Sequence, residues 1–142
     1  MCGIAGIIDF NKRNRIQDLK NMNFSLRHRG PDSFGEWNSK TAYIGHRRLK
    51  IIDLSNKSNQ PMILNKRYVL TFNGEIYNYK EIKKNFLSKY NFNSNGDTEV
   101  LLKFLHCYKE KALKKIEGMF AFALWDEKKQ ELFAARDSFG IK

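Results

Sequence analysis

An α+β domain is the fold class this chain predicts, and three observations carry the prediction. Strand-like segments stand at both ends with helical patterns between them, the last two strands form a hairpin about Glu127-Lys128-Lys129-Gln130, and 142 residues suffice for a core without disulfides or metal. The hairpin argues against a doubly wound parallel sheet, whose successive strands need a long crossover between them.

In chain order, Gly3–Asp9 reads as the first strand because it is rich in β-branched residues and ends at a polar turn. Ile16, Leu19 and Met22 then recur at helical spacing. Thr41–Gly45 and Tyr68–Phe72 are β-branched or aromatic runs bounded by turn residues, hence strands. Tyr79–Phe86 predicts a short helix with a lysine-rich outer face, and Val100, Leu101, Phe104, Leu105 and Tyr108 form a stronger apolar helical stripe. Ala112–Ile116 predicts one more short helix, followed by strands Phe120–Asp126 and Leu132–Arg136. No linker, low-complexity tract or internal repeat divides the chain.

The net charge of +11 raises nucleic acid as a partner. The basic residues are scattered, however: Lys12-Arg13-Asn14-Arg15, Lys83-Lys84, Lys114-Lys115 and Lys128-Lys129 lie in separate polar stretches with no nucleic-acid motif beside them. The longest apolar run, Met119–Trp125, is far short of the roughly 20 residues a membrane span requires. The apolar start Cys2–Ile8 has no basic segment before it and is interrupted by Asp9, so no signal peptide is expected. Two cysteines, Cys2 and Cys107, do not make a disulfide framework, and a reduced cytoplasmic setting is expected. His28, His46 and His106 have no spacing that pairs them with either cysteine as metal ligands, so no metal is assigned.

Chemistry concentrates in a few segments. Cys2 follows Met1 directly. With Met1 removed, one residue would carry a thiol nucleophile and a free α-amine, a group whose ordinary pKa of about 7.7–8.0 lets it accept a proton near neutrality. The plain alternative is a small buried hydrophobe. Asn73-Gly74 after a strand reads either as a tight turn or as an oxyanion hole made of a side-chain amide and a backbone N–H. Arg48 is either a carboxylate grip or a surface arginine paired with a neighbouring acid. Glu75 and Asp97 could together receive an ammonium, while Asp97 also reads as a cap for the helix after it. Arg29-Gly30-Pro31-Asp32 ends a helix and enters a turn.

The order of these segments is more specific than any one of them. Met1-Cys2-Gly3-Ile4-Ala5-Gly6, Arg29-Gly30-Pro31-Asp32, Gly45-His46-Arg47-Arg48-Leu49, Phe72-Asn73-Gly74-Glu75-Ile76-Tyr77-Asn78, Gly96-Asp97-Thr98-Glu99 and Ala135-Arg136-Asp137 follow one another along the chain. The whole chain resembles the glutaminase domain of class II glutamine amidotransferases, the N-terminal-nucleophile hydrolases. Arg-Gly-Pro-Asp and Asn-Gly-Glu-Ile-Tyr-Asn-Tyr resemble the glutamine-hydrolysing asparagine synthetase branch in particular.

The resemblance implies a four-layer αββα sandwich with Cys2 at the start of a central strand. It implies hydrolysis of the glutamine side-chain amide through a Cys2 thioester, giving glutamate and the ammonia used in asparagine synthesis. By position, Cys2, Asn73 and Gly74 would be catalytic. Arg48, Leu49, Lys50, Ile51 and Ile52 would line the substrate pocket with Asn73, Gly74, Glu75 and Asp97, with Arg48 on the α-carboxylate and the two acids on the ammonium. L-glutamine would be the substrate and a synthetase domain the ammonia acceptor, with no membrane partner. No cofactor is expected for the glutaminase half; ATP and magnesium would belong to the synthetase domain.

Four positions depart from the resemblance: Lys50, Asn59 before Gln60-Pro61-Met62, Gly96 before Asp97, and Ser138 after Asp137. The domain is also expected to be incomplete at its C-terminal end, because relatives continue past the match to Phe139-Gly140-Ile141-Lys142 into further strands and a synthetase domain with a Gly-rich pyrophosphate loop. The alternative left open is an inert fragment or binding module that keeps the fold.

Overall fold

A computed structural model describes residues 1–142. Seven strands form two antiparallel sheets, and the α+β expectation holds. The first sheet has the order β1-β3-β2, from β1 (Gly3–Ile8), β3 (Ala42–Arg48) and β2 (Ser33–Asn38). The second has the order β4-β5-β6-β7, from β4 (Met62–Leu64), β5 (Tyr68–Ile76), β6 (Gly118–Asp126) and β7 (Glu131–Arg136). Helices α1 (Ile16–Ser25), α2 (Tyr79–Phe86) and α3 (Asp97–Tyr108), with 3-10 segments at Asn56–Ser58 and Lys109–Lys115, complete the elements.

Strand alternation divides the core. On β3, Ala42 and Ile44 meet Val69 of β5 and Trp125 of β6, so this cluster lies between the sheets. Tyr43, pointing the other way, joins Ala5 and Leu19 of α1. On the second sheet Leu70, Phe72, Phe120, Phe122 and Leu124 pack against Val100, Leu101, Phe104 and Leu105 of α3 and Ile82 of α2. Two polar bonds also join the sheets: the Thr71 hydroxyl donates to Gly45 O at 3.2 Å, and His46 Nε2 meets Phe72 O at 3.0 Å.

Several elements differ from expectation, each for a readable reason. Strand β2 was not foreseen, because Ser33–Asn38 holds Gly35 and polar residues; it forms by pairing along β3, from Ser33 opposite Arg48 to Asn38 opposite Tyr43. Three-residue β4 is likewise set by its partner β5. The α1 stripe is shorter than its spacing implied: Leu19 is fully buried but Met22 is largely exposed, and Asn23 turns inward to donate to Gly35 O and Glu36. The expected Ala112–Ile116 helix is a 3-10 segment, Lys109–Lys115. Strand β1 pairs only with β3, so within this chain it is an edge and not a central strand. Most consequentially, β5 runs to Ile76 and β3 to Arg48, so Asn73-Gly74 is not a turn and Arg48 is not beyond its strand.

Trp125 is fully buried between the sheets and its indole N–H donates to Glu127 at 2.6 Å. Trp125→Ala is expected to lower stability by about 3–5 kcal/mol, read from urea denaturation. A loss below about 1 kcal/mol would show that the two sheets do not depend on this contact.

Candidate active site

Strand register builds the site. Gly3 pairs with Arg47 across β1 and β3, so Cys2, one residue earlier, stands opposite Arg48 and beside Leu49. The Cys2 thiol sits between both backbone groups of Leu49: Leu49 N–H donates to Sγ at 3.4 Å, and Sγ lies 3.6 Å from Leu49 O. The segment bearing Arg48 is clamped from behind, where Gly30 passes so close that a Cβ would lie 2.3 Å from the Arg47 carbonyl carbon. Asp32 completes the clamp, donating its N–H to Arg48 O at 3.1 Å and accepting Lys50 N–H at 2.8 Å. Arg29-Gly30-Pro31-Asp32 is therefore a backrest for the site; it does not end the helix, which stops at Ser25, and the turn, residues 26–29, reaches it only at Arg29.

The second wall is β5. Alternate residues of an antiparallel strand direct their N–H groups to opposite edges. Phe72 and Ile76 direct theirs away from β6, to the edge that β4 leaves uncovered after pairing at Leu70. Gln60 Oε1 caps Phe72 N–H at 2.7 Å, and Asp97 Oδ2 caps Ile76 N–H at 3.0 Å. Gly74 lies between them in the same row, so its N–H is directed into the cleft that Cys2, Asn73 and Gly74 share. The residue must be glycine: φ is +157°, and a Cβ would lie 2.1 Å from Met119 O and 2.7 Å from Phe120 Cα.

Arg48, Glu75 and Asp97 line the cleft without pairing with one another. Arg48, 4% exposed, has no carboxylate partner; its guanidinium donates instead to Ser55 O at 2.7 Å, Asn59 Oδ1 at 2.8 Å, Ile52 O at 3.4 Å and Asp53 O. On the lining of the same cleft, Glu75 and Asp97 have no cationic partner among the ion pairs of the chain. Burial pushes Asp97 up to about 6, and the nearby Glu75 charge adds to the rise against the opposing effect of its N–H donors. Asp97 is the first residue of α3, with Gly96 in the cap position, so the expected capping role is not the one it takes.

Of the residues singled out from sequence, Cys2, Arg48, Leu49, Ile51, Ile52, Asn73, Gly74, Glu75 and Asp97 line this one cleft. Lys50 is not brought to it; its ammonium donates to Asn56 at 3.1 Å. Four supporting residues escaped the sequence reading. Gln60 caps β5, and Asn59 holds Arg48 while also accepting the Ser33 hydroxyl at 3.0 Å. Asp53 ties the loop after Arg48 to Asn95, accepting N–H bonds from Ser55 at 3.0 Å and Asn95 at 2.8 Å. Hydrogen bonding, foremost from the Ser55 side chain, holds Asp53 well below the usual carboxylate range. Fourth is His46, which burial pushes down to about 4; the neutral ring facing Phe72 O must carry its proton on Nε2. Backbone caps made by side chains have no sequence periodicity, although Asn59-Gln60-Pro61 between two strands was the available signal.

Comparison with known proteins identifies the family of the chain. The family described as glutamine amidotransferase domain matches residues 1–142. A glutamine-hydrolysing asparagine synthetase of Bacillus subtilis is 44% identical, covering 100% of this chain and 23% of its own length. One from Oryza sativa is 39% identical, covering 99% of this chain and 24% of its own length. The chain thus spans about a quarter of the length of these relatives. Among solved structures, glutamine phosphoribosylpyrophosphate amidotransferase from B. subtilis, complexed with ADP and GMP, superposes with a TM-score of 0.74 at 20% identity, covering 99% of this chain and 38% of that one. That likeness establishes the shared fold.

Asp97 also yields a stability test. Its folded pKa of about 6 lies above its ordinary 3.8, so the folded state binds the extra proton and gains stability as pH falls between those values. Asp97→Asn removes the buried charge and keeps an acceptor for Ile76 N–H. Above pH 6 the variant is expected to be more stable than the parent by up to about 3 kcal/mol, with the difference closing towards pH 4. Chemical denaturation at pH 8 and pH 4 measures it; an equal difference at both would sink the account.

Proposed function

This chain belongs to the glutamine amidotransferase domain family, and from that premise we propose that it hydrolyses the side-chain amide of L-glutamine to glutamate and ammonia. One observation carries the reading: a guanidinium and two carboxylates, none of them ion-paired, line one cleft that also holds a thiol and the uncapped Gly74 N–H. That charge pattern is the complement of a free α-amino acid, and the thiol and donors are placed for its side chain.

Arg48 holds the α-carboxylate, Glu75 and Asp97 receive the ammonium, and Leu49, Ile51 and Ile52 supply the adjoining wall of the substrate site. The Cys2 α-amino group takes the thiol proton, and sulfur adds to the amide carbon. Asn73 and Gly74 N–H stabilise the oxyanion, a contribution of about 2.7–4 kcal/mol per donor where one has been removed from such a site. Collapse breaks the C–N bond, and the proton on the α-amine passes to the leaving nitrogen, which departs as ammonia. Water then adds to the thioester, with the α-amine again as base, and glutamate leaves as the thiol is restored. While Met1 is attached, the Cys2 nitrogen is an amide without basicity, and Met1 itself lines the cleft. Removal of Met1 is thus part of the proposal.

The wider reading follows from the relatives. Residues 1–142 serve as the glutaminase domain of a glutamine-hydrolysing asparagine synthetase, and a synthetase domain takes the ammonia. Hydrolysis needs no metal or cofactor; ATP and magnesium act in the synthetase domain. The free Cys2 thiol favours a reducing compartment such as the cytoplasm. No helix is long and apolar enough to cross a membrane. Packing of α1 on one sheet, sheet on sheet, and α2 with α3 on the other supports the four-layer αββα sandwich.

Protein processed to begin at Cys2 is expected to release ammonia from glutamine, measured by coupled assay, and Cys2→Ala to release none. Asn73→Ala is expected to lower kcat by about 10²–10³-fold. Folded, processed protein without turnover would refute the proposal. Because Asp97 must be ionised to receive the ammonium, kcat/KM for glutamine is expected to fall as pH drops through about 6, with the loss in KM. A profile flat across that range would remove Asp97 from the binding site.

A further inference from the structure

Gln60 has no role in the chemistry just described, yet it is buried and lies against the cleft. Strand β4 pairs with β5 from Met62 opposite Leu70, and the same register carried back two residues sets Gln60 opposite Phe72. No backbone rung forms there; the Gln60 side chain takes its place. Oε1 accepts Phe72 N–H at 2.7 Å and Nε2 donates to Phe72 O at 3.2 Å, the two bonds a neighbouring strand would make. Nε2 also lies 3.5 Å from the Thr98 hydroxyl, which anchors the amide to α3.

The consequence reaches the next two residues. Bonding both the N–H and the C=O of Phe72 fixes the peptide planes on either side of it, and the plane after Phe72 includes the nitrogen of Asn73. Asn73 then pairs with Ala121 of β6, and the following N–H is that of Gly74. A backbone strand at the position of Gln60 would continue along β5 and cover Gly74. A side chain closes one rung and stops.

We propose that Gln60 is a positioning residue of the oxyanion hole: by substituting for the last rung of β4 it holds Phe72 in strand geometry while leaving Gly74 N–H open to the substrate. His46 reinforces it from the opposite sheet, since its Nε2–H is given to the same Phe72 carbonyl. The inference rests on the hydrolase reading, and it concerns the transition state specifically, because Gln60 makes no hydrogen bond to Arg48, Glu75 or Asp97.

The test uses full-length protein processed to expose Cys2, with two ligands. The γ-aldehyde analogue of glutamine takes up the thiol across its C=O bond to give a tetrahedral hemithioacetal, with sulfur on carbon and oxygen in the oxyanion position. Glutamate occupies the same pocket without that geometry. Gln60→Leu is expected to lower kcat and weaken the aldehyde together, by about 10- to 100-fold, the scale of a small misplacement of catalytic groups. KM for glutamine and the affinity for glutamate are expected to stay within about threefold. Gln60→Glu keeps the acceptor for Phe72 N–H but loses the donor, so it should show a smaller loss of the same selective kind and carries the test if the leucine variant does not fold. Unchanged aldehyde affinity, or parallel weakening of aldehyde and glutamate, overturns the positioning role. Parent protein that neither turns over glutamine nor captures the aldehyde would instead overturn the hydrolase reading itself.

Discussion

Strand β5 is bonded along one edge by β6 and along the other only in part, and the cleft exists because of that asymmetry. From Tyr68 to Leu70 the second edge belongs to β4; beyond it, Phe72 is closed by a glutamine side chain and Ile76 by an aspartate. A buried strand edge with open N–H groups would be destabilising, since each unpaired buried donor costs about 1–3 kcal/mol. Capping every second group with a side chain removes most of that penalty while keeping one donor, Gly74 N–H, for use. The same edge could not have been closed by a longer β4 without covering the site.

The cleft charges are a second constraint, and they work against stability. A guanidinium buried without a carboxylate is tolerated because the carbonyls of Ile52, Asp53 and Ser55 and the Asn59 side chain surround it. Asp97 keeps two rival demands in balance: its carboxylate accepts Ile76 N–H, which favours the ion, while burial and Glu75 oppose it. In the proposed function, an incoming ammonium relieves that opposition. Perturbed carboxylates without a structural cation are characteristic of binding and catalytic sites, where function is favoured over stability.

Much of this was legible in the sequence, and the limits of legibility are physical. Periodicity found α3 because Val100, Leu101, Phe104 and Leu105 all face one core, and it found the β6–β7 hairpin from its polar turn. It misplaced the end of β5, since Asn73-Gly74 has the composition of a turn, and only the close approach of Met119 O and Phe120 shows why glycine is needed inside a strand. Strand β2 was invisible because its register comes from β3 and not from its own residues. The cleft residues were legible through their order along the chain. Gln60, Asn59 and Asp53 were not, because each acts on backbone groups brought near by folding.

Arg48 shows how the scaffold and the site are joined. A guanidinium has five N–H donors, and the four bonds to the 52–59 segment leave Nε–H without a protein partner. In the proposed function, a substrate carboxylate takes that donor and the uncompensated charge at once, or gains a second N–H by displacing the long bond to Ile52 O at 3.4 Å. Displacement need not unravel the loop, because Asp53 fixes it independently through Ser55, Ser58 and Asn95. The carbonyls therefore act as exchangeable ligands, holding the cation in place before the carboxylate arrives and yielding the weakest bond first. Positioning of Arg48 and its availability are thereby assigned to different residues, which lets a buried cation be both held firmly and free to bind.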